Sequence, residues 1–328
     1  MNRSPMACAA ALLRIAVLAA LAATLGGCVA GDHQRNAGES LATPFEVVLA
    51  SNADWGALNP ARGAAGPRAA DLWGDRTLAG ATGFLVKFAE GFSSPPHIHN
   101  VTYRGLVIEG LIHNDDPGAA NSWMAPGSYW TQPAGEVHIT SARSGVPIRE
   151  RMGGGGDGER IAYIEIQSGP YLVRPAAEAI DTGERAINVH AANLVWLDAS
   201  TTSRIRLARG VSPVDGPRVS YLWGDPQDDR PGGALVEVPP RMRVSVASGD
   251  PMMRLVVITG RPLLHRGGES PELEPGSYVG PRLTGEGRRD AGEGGSSVVL
   301  SIVEGGQAAW VYVRCAGPFM VSAMPAEQ

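Results

Sequence analysis

His97 and His99 stand two apart in Gly91-Phe-Ser-Ser-Pro-Pro-His97-Ile-His99-Asn-Val-Thr-Tyr103, and His138 closes Gly127-Ser-Tyr-Trp-Thr-Gln-Pro133-Ala-Gly135-Glu-Val-His138. On a β-strand, residues i and i+2 point to one face. His97 and His99 can therefore aim two imidazoles at one point, and a neighbouring strand can bring His138 to meet them. Three neutral imidazoles on rigid strands suit a divalent transition metal such as Fe, Mn, Zn, Ni or Cu. They leave the metal's charge uncompensated, so an anionic or chelating ligand is favoured, with about three positions open on an octahedral ion. Phe92, Trp130 and Gln132, in the same two segments, are candidate cavity residues.

A fourth ligand is harder to find. Tyr103 has an unperturbed pKa near 10, so it reads as a neighbour donating a hydrogen bond to whatever the metal holds, or as a plain cavity-lining aromatic. Glu109 shares the parity of His99 but lies ten residues on, roughly 33 Å along an extended strand. Glu136 sits in the Pro-x-Gly turn and Glu165 on a predicted strand; both are weak candidates. His33, His113, His190 and His265 fall outside the two segments and read as structural or surface residues.

The elements that must position these side chains are strands. Glycine and proline are plentiful and scattered, as short strands and tight turns require. Leu72-Trp-Gly-Asp75 recurs as Leu222-Trp-Gly-Asp225, and at the same offset of 150 Gly66-Pro-Arg68 recurs as Gly216-Pro-Arg218. Ala125-Pro-Gly-Ser-Tyr129 pairs with Glu274-Pro-Gly-Ser-Tyr278 at an offset of 149. Each half closes with a glycine-rich loop and a strand, Ile161–Ile166 in one and Val298–Val303 in the other. Such anchors describe an internal duplication. The offsets carry His97, His99, Tyr103 and His138 onto Ala247, Gly249, Met253 and Gly287, so the second copy is expected to lack metal ligands and to serve as a packing partner. The four glycines Gly153 to Gly156 read as a hairpin connection, because no Lys-Ser/Thr follows them as in a phosphate loop.

The two histidine segments resemble the paired signatures of the cupin superfamily. Gly91, His97, His99 and Gly110 fall on the first pattern, and Gly127, Pro133, Gly135 and His138 on the second. Tyr103 stands where the pattern has Glu, and Ala142 where it has Asn. The resemblance implies an all-β fold of tandem duplicated cupin domains, each a jelly-roll β-barrel. It also implies a mononuclear metal (Fe, Mn or Zn) on His97, His99 and His138. The Trp55…Leu58-Asn-Pro-Ala-Arg62…Leu72-Trp-Gly-Asp75 stretch is similar to a bacterial family of paired cupins that brings no activity with it. Among active cupins the three-histidine set resembles the thiol-oxidising and diketone-cleaving dioxygenases. This suggests dioxygenase-like action on a small oxygen- or sulfur-bearing molecule. The alternative is a zinc-dependent binding or sensing module without catalysis, similar to ChrR-like anti-sigma factors; a third reading is a scaffold whose histidines are relics.

The ends add a location. Arg3 and Arg14 precede an apolar run from Ile15 to Leu25, too short to span a bilayer, followed by Leu25-Gly-Gly-Cys28. That sequence resembles a bacterial lipobox, which implies cleavage before Cys28, lipidation of its sulfur and retention on a membrane. Val29 rather than Asp follows, which by the sorting rule of such lipoproteins implies the periplasmic face of the outer membrane. Expected segments are a signal peptide (1–27), a lipidated tether (28–43), an N-terminal cupin (44–175), a linker with a short helical turn (176–193), a C-terminal cupin without ligands (194–318) and a tail (319–328). With Cys8 removed and Cys28 lipidated, Cys315 is alone and no disulfide forms within the chain. Net charge is −5 with both signs mixed, which gives nucleic acid no basic surface to bind. Expected partners are a small-molecule ligand, the membrane through the lipid, and a second copy of the chain, since cupin barrels often pair.

Overall fold

A computed structural model describes residues 45–145, 159–281 and 295–326. The expectations for the signal and tether, with Cys28 and His33, for Gly153 to Gly156 and for Gly287 lie outside these residues. The fold is all-β: two jelly-roll barrels in tandem, joined by short 3-10 turns among the described residues. No helix of the described residues is long and apolar enough to cross a membrane.

The first barrel has one large sheet in the order β12 (Ile187–Val189), β8 (Tyr129–Gln132), β6 (Tyr103–Glu109), β10 (Ile161–Ile166), β4 (Thr82–Lys87), β3 (Arg68–Trp73) and β2 (Gly56–Ala57). Two ribbons complete its wall, β5 (His97–His99) with β11 (Val173–Pro175) and β7 (Leu111–Asp115) with β9 (Ile139–Arg143). In the second barrel the large sheet runs β1 (Phe45–Val48), β19 (Tyr278–Pro281), β17 (Arg254–Thr259), β21 (Ala309–Ala316), β15 (Pro231–Val238) and β14 (Arg218–Trp223). Its other wall runs β13 (Ile205–Leu207), β22 (Phe319–Pro325), β16 (Met242–Ser248), β20 (Ser296–Ile302) and β18 (Pro262–His265).

The duplication is visible strand by strand, with one correction. β10 lies between β4 and β6, and β21 lies between β15 and β17, so β21 is the counterpart of β10. Val298–Val303 belongs instead with β20, which pairs with β18 as β9 pairs with β7. The hydroxyls mark the true equivalence: Trp73 donates to Tyr163 at 3.1 Å and Trp223 donates to Tyr312 at 2.9 Å. Both close approaches need a glycine. A Cβ on Gly83 or Gly233 would lie 2.2 Å from the tryptophan Nε1 in its own barrel.

The segment boundaries also differ from expectation, because each repeat lends its first strand to the other barrel. β1 pairs with β19 of the second barrel, and β12, expected in a linker, pairs with β8 of the first. A 3-10 turn follows each, and its first amide reaches a serine: Ala50 donates to Ser277 Oγ at 3.3 Å and Ala191 to Ser128 Oγ at 3.0 Å. Residues 319–325, expected as tail, form β22 and pair with β16 and β13. The exchange covers sheet edges that would otherwise stay open.

Between the barrels lies an apolar layer drawn from both, including Leu85, Leu106 and Tyr163 with Leu235, Val256 and Tyr312. At its centre Glu165 accepts from the hydroxyls of Tyr163 (3.1 Å) and Tyr312 (3.0 Å) and pairs with Arg314 Nε at 2.9 Å. Arg254 stacks over Trp73 and its repeat equivalent Arg104 over Trp223, at 4.3 and 4.0 Å from the ring centroids. The interior of the second barrel is filled by aliphatic side chains such as Val244, Val246, Leu255, Leu300 and Val311, with Met253 fully buried among them.

Cys315 lies on β21 within this packed region, 3% exposed, its thiol directed at Gly317 O. Burial, assisted by Asp250, pushes its pKa up to about 11. The thiolate is the reactive form, so native protein at pH 8 is expected to react with a chromogenic disulfide reagent far more slowly than protein in denaturant. Prompt labelling of the native state would contradict this packing.

Candidate metal centre

Two backbone hydrogen bonds lock the histidine segments together: His97 N donates to His138 O and His138 N to His97 O, both at 3.0 Å. The His99 carbonyl accepts from Gly135 N at 2.8 Å, and β11 sets Val173 opposite His99. Gly135 has φ +76°, and a Cβ there would lie 2.2 Å from Ile180 Cγ1, so the turn before His138 admits only glycine. The three imidazoles meet as their spacing predicts. Their centroids lie 4.3 Å (His97–His138), 5.1 Å (His97–His99) and 5.2 Å (His99–His138) apart, with one ligand nitrogen from each within 4.8 Å of the others.

The donor set fits a metal. His97 Nδ1 lies 2.9 Å from Pro95 O and His138 Nδ1 3.3 Å from Glu136 O. A carbonyl only accepts, so each Nδ1 carries the proton and each Nε2 keeps its lone pair for an ion. Burial lowers all three pKa values, that of His138 to about 3, with the nearby His97 adding to the effect. The charged forms are disfavoured, and the rings are held neutral and ready to ligate. Metal binding should therefore release less than one histidine proton at pH 6, where three free imidazoles would release about two. Calorimetry in two buffers of different ionisation enthalpy measures this; release of one proton or more would contradict it.

Beside the rings lies a cavity of about 50 Å³ lined by Phe88, Phe92, Trp130, Ile164, Tyr171, His97 and His99, among others. Phe92 and Trp130 are on it as expected. Trp130 lies flat over Gly105, where a Cβ would come within 2.1 Å of its ring. Gln132 is not on the wall; it stands behind, accepting from Asn114 Nδ2 at 2.9 Å. Tyr103 lines the cavity, but its hydroxyl donates to Asn114 Oδ1 at 2.9 Å, and its oxygen lies 3.3 Å from His138 Nε2. This differs from the expected donor toward the metal: the phenol's proton already has an acceptor.

Three residues without a sequence motif complete the site. Tyr171 stacks on His99 (centroids 4.4 Å apart) and places its hydroxyl 3.3 Å from His99 Nε2. Asn114 and Thr140 support Tyr103, with Thr140 Oγ1 donating to Asn114 Oδ1 at 2.8 Å. Asn114 carried a readable signal, since it shares inward parity with buried Ile112 and is itself 1% exposed. Among the described residues the only group of side chains close enough to share a metal is His97, His99 and His138, so Glu109, Glu136 and Glu165 do not join them. Glu165 faces the other barrel.

The remaining histidines have other partners. His113 contacts Ser122, His190 caps a turn by accepting from Ala192 N, and His265 lies between Ser301 and Ser270. In the second barrel the ladder equivalent to His97–His138 pairs Val246 with Val298. The histidine equivalent is thus Val298 rather than Gly287, and it offers no ligand.

The family model described as Domain of unknown function (DUF4437) matches residues 46–300. Similar solved structures include a "putative dioxygenase" from Nostoc punctiforme PCC 73102, 18% identical over 85% of each chain with a TM-score of 0.56. Another is GK1651 from Geobacillus kaustophilus, 12% identical over 85% of this chain and 98% of that one, TM-score 0.47. A third is vicilin from Corylus avellana (hazelnut), 11% identical over 85% of this chain and 87% of that one, TM-score 0.47. At these identities the Nostoc likeness shows a shared fold. No curated protein matches the chain.

Proposed function

We propose that this chain, which belongs to the DUF4437 family, is a two-barrel metalloprotein acting on a small molecule at one divalent metal held by His97, His99 and His138. The observation that carries this reading is three buried imidazoles with ligand nitrogens within 4.8 Å, those of His97 and His138 with Nδ1 tied to a backbone carbonyl. When bound, the metal supplies Lewis-acid chemistry and, if iron or manganese, redox chemistry. The chain's own residues supply the rest. Phe88, Phe92 and Ile164 exclude bulk water, which strengthens every electrostatic contact inside. Tyr171, whose hydroxyl has no other acceptor than His99 Nε2 among the described residues, can turn its proton toward a ligand held at the centre. The Nostoc structure described as a "putative dioxygenase" shares the fold, and supports oxygen-dependent chemistry as the first reaction class to examine.

The second barrel, packed solid, acts as the partner that braces the first. The lipobox-like Leu25-Gly-Gly-Cys28 supports export and anchoring at the periplasmic face of a membrane. Anaerobic purification of residues 29–328 with metal analysis, then oxygen uptake with small thiols and diketones, tests the reading. Stoichiometric iron or manganese with substrate-dependent uptake supports it; absence of metal even after reconstitution overturns it. The cavity volume favours a second reading. About 50 Å³ accommodates only a few water-sized groups, which also suits zinc-dependent sensing of a small ligand, and tight zinc with no turnover would select that reading.

A further inference from the structure

The hydrogen bonds behind Tyr103 have a fixed polarity, and it starts at Glu136. Gln132 Nε2 lies 3.3 Å from Glu136 O and 3.4 Å from Glu136 Oε2, and both atoms only accept. The Gln132 amide therefore turns its oxygen toward Asn114, whose Nδ2 donates to it at 2.9 Å. Asn114 in turn presents Oδ1 to Tyr103 and Thr140, and both hydroxyls donate to it. Reversing any member would set two acceptors face to face next to Glu136. At the far end, the Tyr103 proton goes to Asn114, which leaves its oxygen, 3.3 Å from His138 Nε2 in a residue that lines the cavity, to act as an acceptor. A second feature stands at the cavity wall. Arg62 lines it, half-buried, and its charge is felt at both His97 and His99. No ion pair among the described residues includes Arg62.

We propose that the site selects a small organic anion bearing a hydroxyl or amine hydrogen beside its anionic group, Arg62 taking the charge and Tyr103 Oη accepting the hydrogen. This rests on the metal-centre reading above, which supplies the third point of attachment. A ligand with a carbonyl at that position would set its oxygen against the Tyr103 lone pair and be disfavoured. Glu136, Gln132 and Asn114 are positioning residues that act through Tyr103.

Lactate and pyruvate carry the same charge and nearly the same size, and differ by a hydroxyl against a keto oxygen. Calorimetric titration of both into the metal-replete protein, with metal content measured alongside, tests the assignment. One hydrogen bond is worth about a tenfold change in affinity. Tyr103→Phe should thus lower the lactate-to-pyruvate affinity ratio about tenfold while metal content holds. Arg62→Gln should weaken both ligands about tenfold and leave the ratio alone. Gln132→Leu, which frees Asn114 to turn, should lower the ratio in the wild type and leave it unchanged in Tyr103→Phe. An unchanged ratio in Tyr103→Phe, or no binding of either anion to metal-loaded protein, overturns the selectivity proposal. Retention of metal by His99→Ala would overturn the metal-centre reading instead, and with it this one.

Discussion

Protein carrying His99→Ala purifies with less than about a tenth of the wild-type metal and no longer gains thermal stability when metal is added. His99 is held on several sides: it is 2% exposed, stacked on Tyr171, and fixed through its carbonyl to the turn that carries His138. Losing an orienting partner of a ligand costs roughly 10–100-fold in metal affinity. Losing one of three ligands should exceed that. Wild-type protein at a metal concentration 100-fold above Kd gains about 2.7 kcal/mol from binding, a clear shift in Tm, and the variant should gain none. The control is His113→Ala. His113 is as buried as His99 and also loses a polar contact, to Ser122, but lies outside the triad. It should lower Tm and leave metal content at the wild-type level. Elemental analysis beside differential scanning fluorimetry reads both quantities. Equal metal in wild type and His99→Ala would remove the basis for a metal centre.

The histidine triad was legible because strand periodicity translates directly into direction: residues two apart share a face, and the Pro133-Ala-Gly135 turn returns the chain to meet them. The duplication was legible for a related reason. Trp73 and Trp223 sit over glycines that neither copy can replace, so the Leu-Trp-Gly-Asp words survive in both halves. Tyr171 was not legible, since its place on His99 depends on β11 pairing with β5 across about seventy residues of chain, a register no local pattern specifies. The exchange of β1 and β12 was hidden too. The repeat reads at offsets of 150 and 149, whereas these two strands match at a different spacing and pair outside their own barrel. The Val298–Val303 assignment failed because both β20 and β21 are apolar strands near the end of the chain. The tyrosines at 163 and 312, each beside a tryptophan's Nε1, carried the information that would have separated them. Tyr103 lines the cavity, but its hydrogen bond runs to Asn114, because polarity is set by Glu136 through Gln132 and Asn114, and Asn114 lies outside both histidine segments.

Arg314→Met should destabilise the protein by about 3–5 kcal/mol, the cost of leaving one member of a buried ion pair alone. Glu165 is 1% exposed, and among the described residues its one ion-pair partner is Arg314, itself 8% exposed in its side chain and paired at 2.9 Å. Burial opposes the charge of Arg314, and Glu165 together with Tyr312 and Tyr163 more than offsets this, holding the Arg314 pKa above its ordinary value. Without the guanidinium, the carboxylate keeps two tyrosine hydroxyls and the Gln167 amide as donors, too few to replace a charge. The double variant Glu165→Gln with Arg314→Met separates pairing from packing. A glutamine oxygen still accepts from the tyrosines, no charge is buried, and methionine fills much of the arginine's volume, so most of the lost stability should return. Urea unfolding followed by tryptophan fluorescence measures all three proteins. Because Trp73 and Trp223 flank this pair, the single variant should also shift the native emission, and the metal content of the first barrel should fall only if the seam between the barrels holds the histidine strands in register. A double variant no more stable than Arg314→Met would mean that the volume of the guanidinium, rather than its charge on Glu165, keeps the two barrels closed.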